Sequence, residues 1–179
     1  MNSLELLAHP VRLRIVHAMS AGDSHTTTQL CARLPDVSKA TVYRHVDILA
    51  SAGVLEVAAE QRVRGAVERS YRLRREAAVI DPEAAAAATP ADHRAIFAAA
   101  MTALLAEFDT YLDSGHADPV TDLVGYRQHT IWLDPAEAAG LVEDLRAAIL
   151  PRLRNTPGSG RTQYLLSPVL FPTGGPTAT

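Results

Sequence analysis

Between Pro35 and Leu55 a proline, a serine, an unbroken run of helix-compatible residues and a glycine follow one another, and together they fix a helix at both ends. The Ser38 hydroxyl can accept from a free amide of the first turn, the helix runs over 38–52, and Gly53 ends it. Val42, Val46 and Leu49 recur at three- and four-residue spacing and predict a buried stripe, which leaves Lys39, Thr41, Tyr43, Arg44 and Asp47 on other sides. Ahead of it Thr26 and Gln29 stand in capping-box order and open a shorter helix that ends near Leu34. Two helices joined by a three- or four-residue turn make a helix-turn-helix, whose second helix is the candidate to enter a DNA major groove.

The flanking residues extend this unit in both directions. Residues 3–8 form a short apolar segment with Leu4, Leu6 and Leu7. His9 and Pro10 start a helix, with proline at a first-turn position where its missing amide costs nothing. Leu13, Ile15, Val16 and Met19 are its apolar positions, Arg12 and Arg14 are placed on its exposed side, and Gly22 closes it. Arg12 can reach a DNA phosphate or a carboxylate of the fold. After Gly53 the pattern alternates: Leu55, Val57 and Ala59 share one face of a strand, and Val67, Arg69, Tyr71 and Leu73 share one face of the next, with 62–65 as the turn. This hairpin over 55–73 is the expected wing. Arg62 and Arg64 stand at its tip, where long cations can lie along or inside a minor groove; an ordinary charged hairpin tip is the alternative.

Residues 4–73 carry, in order, LAHPVRLRIVHAMS, TTTQLCARL, SKATVYRHVDILASAGVL and a hairpin ending in YRL. This ordered set resembles a winged-helix transcriptional regulator of the ArsR-like type. The resemblance implies DNA binding through Ser38, Lys39, Thr41, Tyr43 and Arg44 of the second helix and through Arg62 and Arg64 of the wing. The second half, with TIWLDPAEAAGLVEDL and YLLSPVLFPTG, is similar to C-terminal extensions of some such regulators. Metal-sensing relatives place paired cysteines near the position of Cys31 or acidic and histidine ligands on a terminal helix. Here Cys31 is the only cysteine, so metal sensing is not carried over, and no disulfide within the chain can form.

Charge divides the chain. Residues 1–75 hold 11 Lys and Arg against 7 Asp and Glu, whereas residues 76–179 hold 6 against 13, within a net charge of −3. A basic half can approach phosphates and an acidic half is repelled by them. The length of 179 residues and 47% hydrophobic content allow one ordinary domain or two small ones with a real core. No uninterrupted apolar run of membrane-span length and no basic-then-apolar signal order are read, so a cytoplasmic protein with no membrane partner is expected.

Residues 76–89 are Ala-rich with Pro82 and read as a connector between a first domain over 1–75 and a second over 90–171. Thr89 and Pro90 open a long helix to about Asp113. It is apolar on nearly every side, so it must be covered on more than one. Phe97, Met101, Leu104 and Phe108, helped by Leu4 and Leu7, are the expected homodimer interface; burial inside the second domain is the alternative. The stretch 115–125 is loop-like, and its His116, Asp118 and Asp122 match no metal or hydrolase spacing. Residues 126–133 read as a strand, Asp134 and Pro135 cap an amphipathic helix to about Leu150, and 161–171 read as a second strand interrupted by Pro168, followed by a disordered tail over 172–179. Seven of the nine aromatic residues lie beyond residue 75. In the first of these strands Tyr126, Gln128, Thr130 and Trp132 share a mixed aromatic and polar face, the expected wall of a site for a small organic effector; packing of Trp132 against a helix or a partner subunit is the alternative.

The sequence therefore predicts a mainly α protein with a small β component (α+β): a winged helix-turn-helix domain, a long helix and a small strand-helix-strand domain. The expected function is sequence-specific binding of double-stranded DNA by a homodimeric repressor on a palindromic operator. No enzyme, cofactor or metal is expected, because no nucleophile, base and orienting group form a constellation and no Gly-rich phosphate loop is present. The competing reading is a winged helix used only for protein contacts.

Overall fold

The computed structural model describes residues 3–63 and 65–174. The chain forms two compact units, Met1–Leu105 with Thr162–Thr179, and Ala106–Arg161.

The first unit begins with α1 (Ser3–Leu7) and α2 (Pro10–Met19), the latter started by His9, whose Nδ1 accepts from the Val11 amide at 3.2 Å. After β1 (His25–Thr26) comes α3 (Thr27–Arg33), opened by the expected capping box: Thr26 Oγ1 accepts from the Gln29 amide and Gln29 Oε1 from the Thr26 amide. Helix α4 (Lys39–Ser51) is capped by Ser38, and Gly53 follows at φ +74°, a left-handed position that a β-carbon would strain. Ile15 and Met19 of α2, Leu30 of α3 and Val42, Val46 and Leu49 of α4 are buried together with Leu34, Val54 and Leu55. Each such side chain contributes on the order of 1.5–3 kcal/mol by leaving water.

Two expectations fail in this core. Leu4 and Leu7 belong to the inside of the protomer, 6% and 5% exposed, so they offer almost no surface to a partner. Arg12 and Arg14 are also buried: Arg12 Nη2 donates to the Glu5 carbonyl at 2.9 Å, and Arg14 makes a two-pronged ion pair with Asp36. A helix clamped between α1, α3 and α4 has little open side left, and each guanidinium enters because oxygen acceptors meet it there.

Strands β2 (Leu55–Val63) and β3 (Ala66–Leu73) form the expected hairpin, and β1 adds to the other edge of β3, giving the order β1-β3-β2. Leu55 lies opposite Leu73 and Val57 opposite Tyr71, but Ala59 lies opposite Ser70, which leaves Ala58 as the extra residue of a bulge. Ala59 therefore faces away from Leu55 and Val57, against the simple alternation read from sequence.

Beyond a 3₁₀ turn (Arg75–Ala77), α5 (Pro82–Ala86) and α6 (Pro90–Leu112) follow; Thr89 and Asp92 cap α6 reciprocally. Of α6 only Ala99 and Ala103 are buried among the described residues; by length and composition alone it is apolar enough to cross a membrane, a test that core helices of soluble proteins also pass. Helix α7 (Pro135–Ile149) starts at Asp134 with a capping box completed by Glu137. The α+β class holds, but the only sheet described is the one in the first unit. The strands expected over 126–133 and 161–171 do not form, because alternation makes a segment strand-capable whereas a ladder also needs a partner edge. None of the described residues from 104 to 174 is buried.

Candidate nucleic-acid interface

The turn of the helix-turn-helix is held from behind. Arg14 Nη1 and Nη2 lie 2.6 and 2.8 Å from the two carboxylate oxygens of Asp36, a planar fork matched to a planar acceptor. The hydrogen bonds from Arg14 keep the Asp36 carboxyl below its ordinary range. Three residues later α4 begins, so this ion pair ties the start of α4 to α2. Ser38 Oγ accepts from the Thr41 amide and lies 2.8 Å from Thr41 Oγ1, so both hydroxyls are engaged in the cap while one side of each stays open to solvent.

On the outer face of α4 Lys39, Tyr43 and Arg44 are exposed, Tyr43 by 48%. The cations of the first unit fall into two groups. Arg12, Arg14, Arg33, Arg69, Arg72, Arg74 and Arg75 are engaged within the fold, by the Glu5, Ala18 and Ser20 carbonyls or by Asp36, Glu60, Glu56 and Glu76. The side chains of Lys39, Arg44 and Arg62, and of Arg94 on α6, make no hydrogen bond or ion pair among the described residues. Arg64, expected beside Arg62 at the wing tip, lies outside the described residues. Three of these four open cations stand on α4 and the hairpin.

Asp47 stands one turn beyond Tyr43 on α4, and the two face Glu68 and Arg69 of β3 across a shallow groove. Its negative charge keeps phosphates from that part of the helix and leaves it suited to accept from a base edge, such as a cytosine amino group. Behind the helix His45 is 3% exposed, its ring centroid 4.3 Å from that of His9, and neither of its ring nitrogens is hydrogen-bonded. Burial, then the charges of His9, Arg44 and Arg12, push its pKa down to about 4, so the ring is neutral. Position 45 falls next to the Val42, Val46 and Leu49 stripe, and that spacing is the signal by which its burial could have been read.

The remaining expected sites are scattered. On α6 Phe97 is 47% exposed, with its ring 6.3 Å from that of Phe171, while Met101, Leu104 and Phe108 are half-buried. Phe108 stacks on Tyr111 and meets Tyr126 edge-on, each at 5.9 Å. Tyr126, Gln128, Thr130 and Trp132 are all exposed, Trp132 by 82%. In the loop before them Tyr111 donates to Asp122 at 2.6 Å, and Asp118 accepts from the Thr121 amide and hydroxyl, which is turn bonding. No group of three metal-ligating side chains comes together among the described residues.

Residues 7–58 match the helix-turn-helix domain family. A helix-turn-helix domain of this kind is that of DNA-binding regulators. The match runs from α1 into β2, so it takes in the helix-turn-helix and stops before β3. Comparison with curated proteins gives no match.

Proposed function

We propose that this protein is a homodimeric transcriptional repressor of the ArsR-like winged-helix type, which binds a palindromic operator in double-stranded DNA through α4 and the β2–β3 wing. The observation that carries this reading is that Lys39, Arg44 and Arg62 stand open on α4 and the hairpin while their neighbours Arg14, Arg69 and Arg72 are each held by a carboxylate. In the complex the first turns of α4 lie in the major groove, as second helices of this motif do. Arg44 reads a guanine edge through its two-pronged fork, and Tyr43 and Asp47 contact the neighbouring bases. Lys39 and the free sides of Ser38 and Thr41 hold phosphates, and Arg62 and Arg64 anchor the wing to the flanking backbone. One winged helix reads few bases, so specificity asks for two copies on half-sites about one helical turn apart. No effector is placed beside Trp132, which is 82% exposed.

Selection of bound sequences from random duplexes, followed by titrations at several salt concentrations, tests the proposal. Arg44→Ala is expected to weaken specific binding by about 1–3 kcal/mol and relax one base position per half-site. Arg62→Ala is expected to weaken all sequences about equally and to reduce the salt slope by about one. Equal, sequence-blind losses for both would refute α4 as the reading element. Absence of any salt-dependent DNA binding would favour the protein-contact reading.

A further inference from the structure

We propose that the groove between α4 and β3 binds a small organic cation with a flat apolar body, seated between the Asp47 and Glu68 carboxylates, and that this ligand and DNA exclude each other. The site stands on its own geometry; only the exclusion rests on the operator reading above.

Shape gives the first reason. The groove has a volume of about 440 Å³, inside the range of about 300–1,000 Å³ usual for small-molecule sites. Thr27 and Tyr71, which are 9% and 7% exposed, form its floor, and its walls carry Tyr43 and Asp47 of α4 and Val67 and Glu68 of β3. Thr27 Oγ1 makes no hydrogen bond among the described residues, so a polar side chain nine-tenths withdrawn from water is left for a ligand to answer.

Charge gives the second. Arg69 borders the groove, but Glu60 holds its guanidinium at 2.8 Å. Asp47 makes no ion pair among the described residues. Glu68 accepts only from the Thr28 hydroxyl at 3.5 Å, a long bond that leaves most of the carboxylate open. Lys39, Arg44 and Arg62 do not line the groove. It is therefore a negative recess within the basic half of the chain, and an anion is the wrong occupant.

The third reason concerns the kind of cation. A hard metal ion asks for about six or more oxygen ligands, and no group of three metal-ligating side chains comes together among the described residues. An organic cation uses what the groove offers. The Tyr43 ring, 48% exposed, presents a face to positive charge, and Val67, 54% exposed, gives apolar contact. The two carboxylates accept the N–H groups of an amidinium or guanidinium. Tyr43 and Asp47 are also the side chains that the operator reading sends to the bases, so an occupied groove takes both away from DNA with no change of fold.

Benzamidinium is the probe, with neutral benzamide and anionic benzoate at matched ionic strength as controls, and binding to the full chain is followed by amide and methyl resonances. Saturable shifts at millimolar benzamidinium, centred on Thr27, Tyr43, Asp47, Val67 and Glu68, are expected, with none from benzamide or benzoate. Asp47→Asn and Glu68→Gln are each expected to raise the Kd roughly three- to tenfold. Benzamidinium is expected to release a selected operator duplex at the concentrations that saturate the shifts, and Glu68→Gln to move that release by the same factor as the Kd. Equal shifts from benzamide, or unsaturated shifts spread over all exposed carboxylates, would overturn the site. So would unchanged affinity in both variants. Tighter binding of an acetylated arginine amide would overturn the flat organic cation in favour of a protein partner's arginine. Localised binding that leaves the operator complex intact would overturn the exclusion, and localised binding by a protein that holds no DNA would keep the site and remove the operator reading.

Discussion

A neutral imidazole sealed behind α4 makes the stability of the helix-turn-helix depend on pH. His45 is pushed to about 4 from an ordinary 6.5, first by burial, and His9, His17 and His25 are held below the ordinary value, again chiefly by burial. Above the ordinary value neither the folded nor the unfolded chain binds these protons. As pH falls from 6.5 toward about 4, the unfolded chain takes up a proton that folded His45 refuses, so stability is lost across that window; below it both states are protonated and the slope ends. The thermal midpoint should therefore drop steadily over this range, and His45→Phe should make the drop shallower. An unchanged pH slope in that variant would show that the other histidines carry the effect. Individual residues were unequally legible. Lys39 and Arg44 could be placed from helical spacing because nothing in the fold competes for them, whereas the burial of Arg12 and Arg14 depends on acceptors at Glu5 and Asp36, which spacing along α2 does not reveal.

Among the elements, α4 owes its start to three features that act together: the Ser38 cap, the turn at Asp36 and the Arg14 fork that holds it. Asp36→Ala removes the carboxylate that answers a guanidinium only 3% exposed, at an expected cost of about 1.5–3 kcal/mol in chemical denaturation. Asp36→Asn, which keeps one acceptor, should lose less, and equal losses would mean that charge alone matters. The longer helices were readable to within a residue or two because their signals are local: the capping box at Thr26, the Ser38 and Asp134 caps, and Gly53 after the last turn, whereas α5 lies in a stretch read as a connector. Strands were not. β1 is two residues long and exists only because Tyr71 and Ser70 lie beside it, while 126–133 alternates well and still finds no ladder in the chain. Pairing is a property of two segments, and one sequence stretch carries half of it.

For the molecule as a whole, the first unit has a continuous core and the second has none of its own. If the second unit folds only on assembly, its stability is tied to protein concentration by mass action. Calorimetry should then show one transition that moves up as the protein is concentrated and a second that stays in place. Two concentration-independent transitions would mean that Ala106–Arg161 is stable alone. The charge asymmetry between residues 1–75 and 76–179 fits this division of labour: the basic part carries Lys39, Arg44 and Arg62, and the acidic part is spared any need to approach phosphate.

The single unpaired residue in β2 also sets how far the wing reaches. A bulge bends a ribbon and tightens its twist, so Ala58 steers the outer half of the hairpin without contributing a charge or a base contact. Deleting Ala58 would keep Leu55 opposite Leu73 and Arg62 opposite Val67, and would straighten the ribbon between them. Such a protein would hold every arginine of the natural wing on a differently aimed arm. A shifted footprint edge on DNA, with α4 still protecting the same bases, would show that curvature and not composition decides where the wing lands.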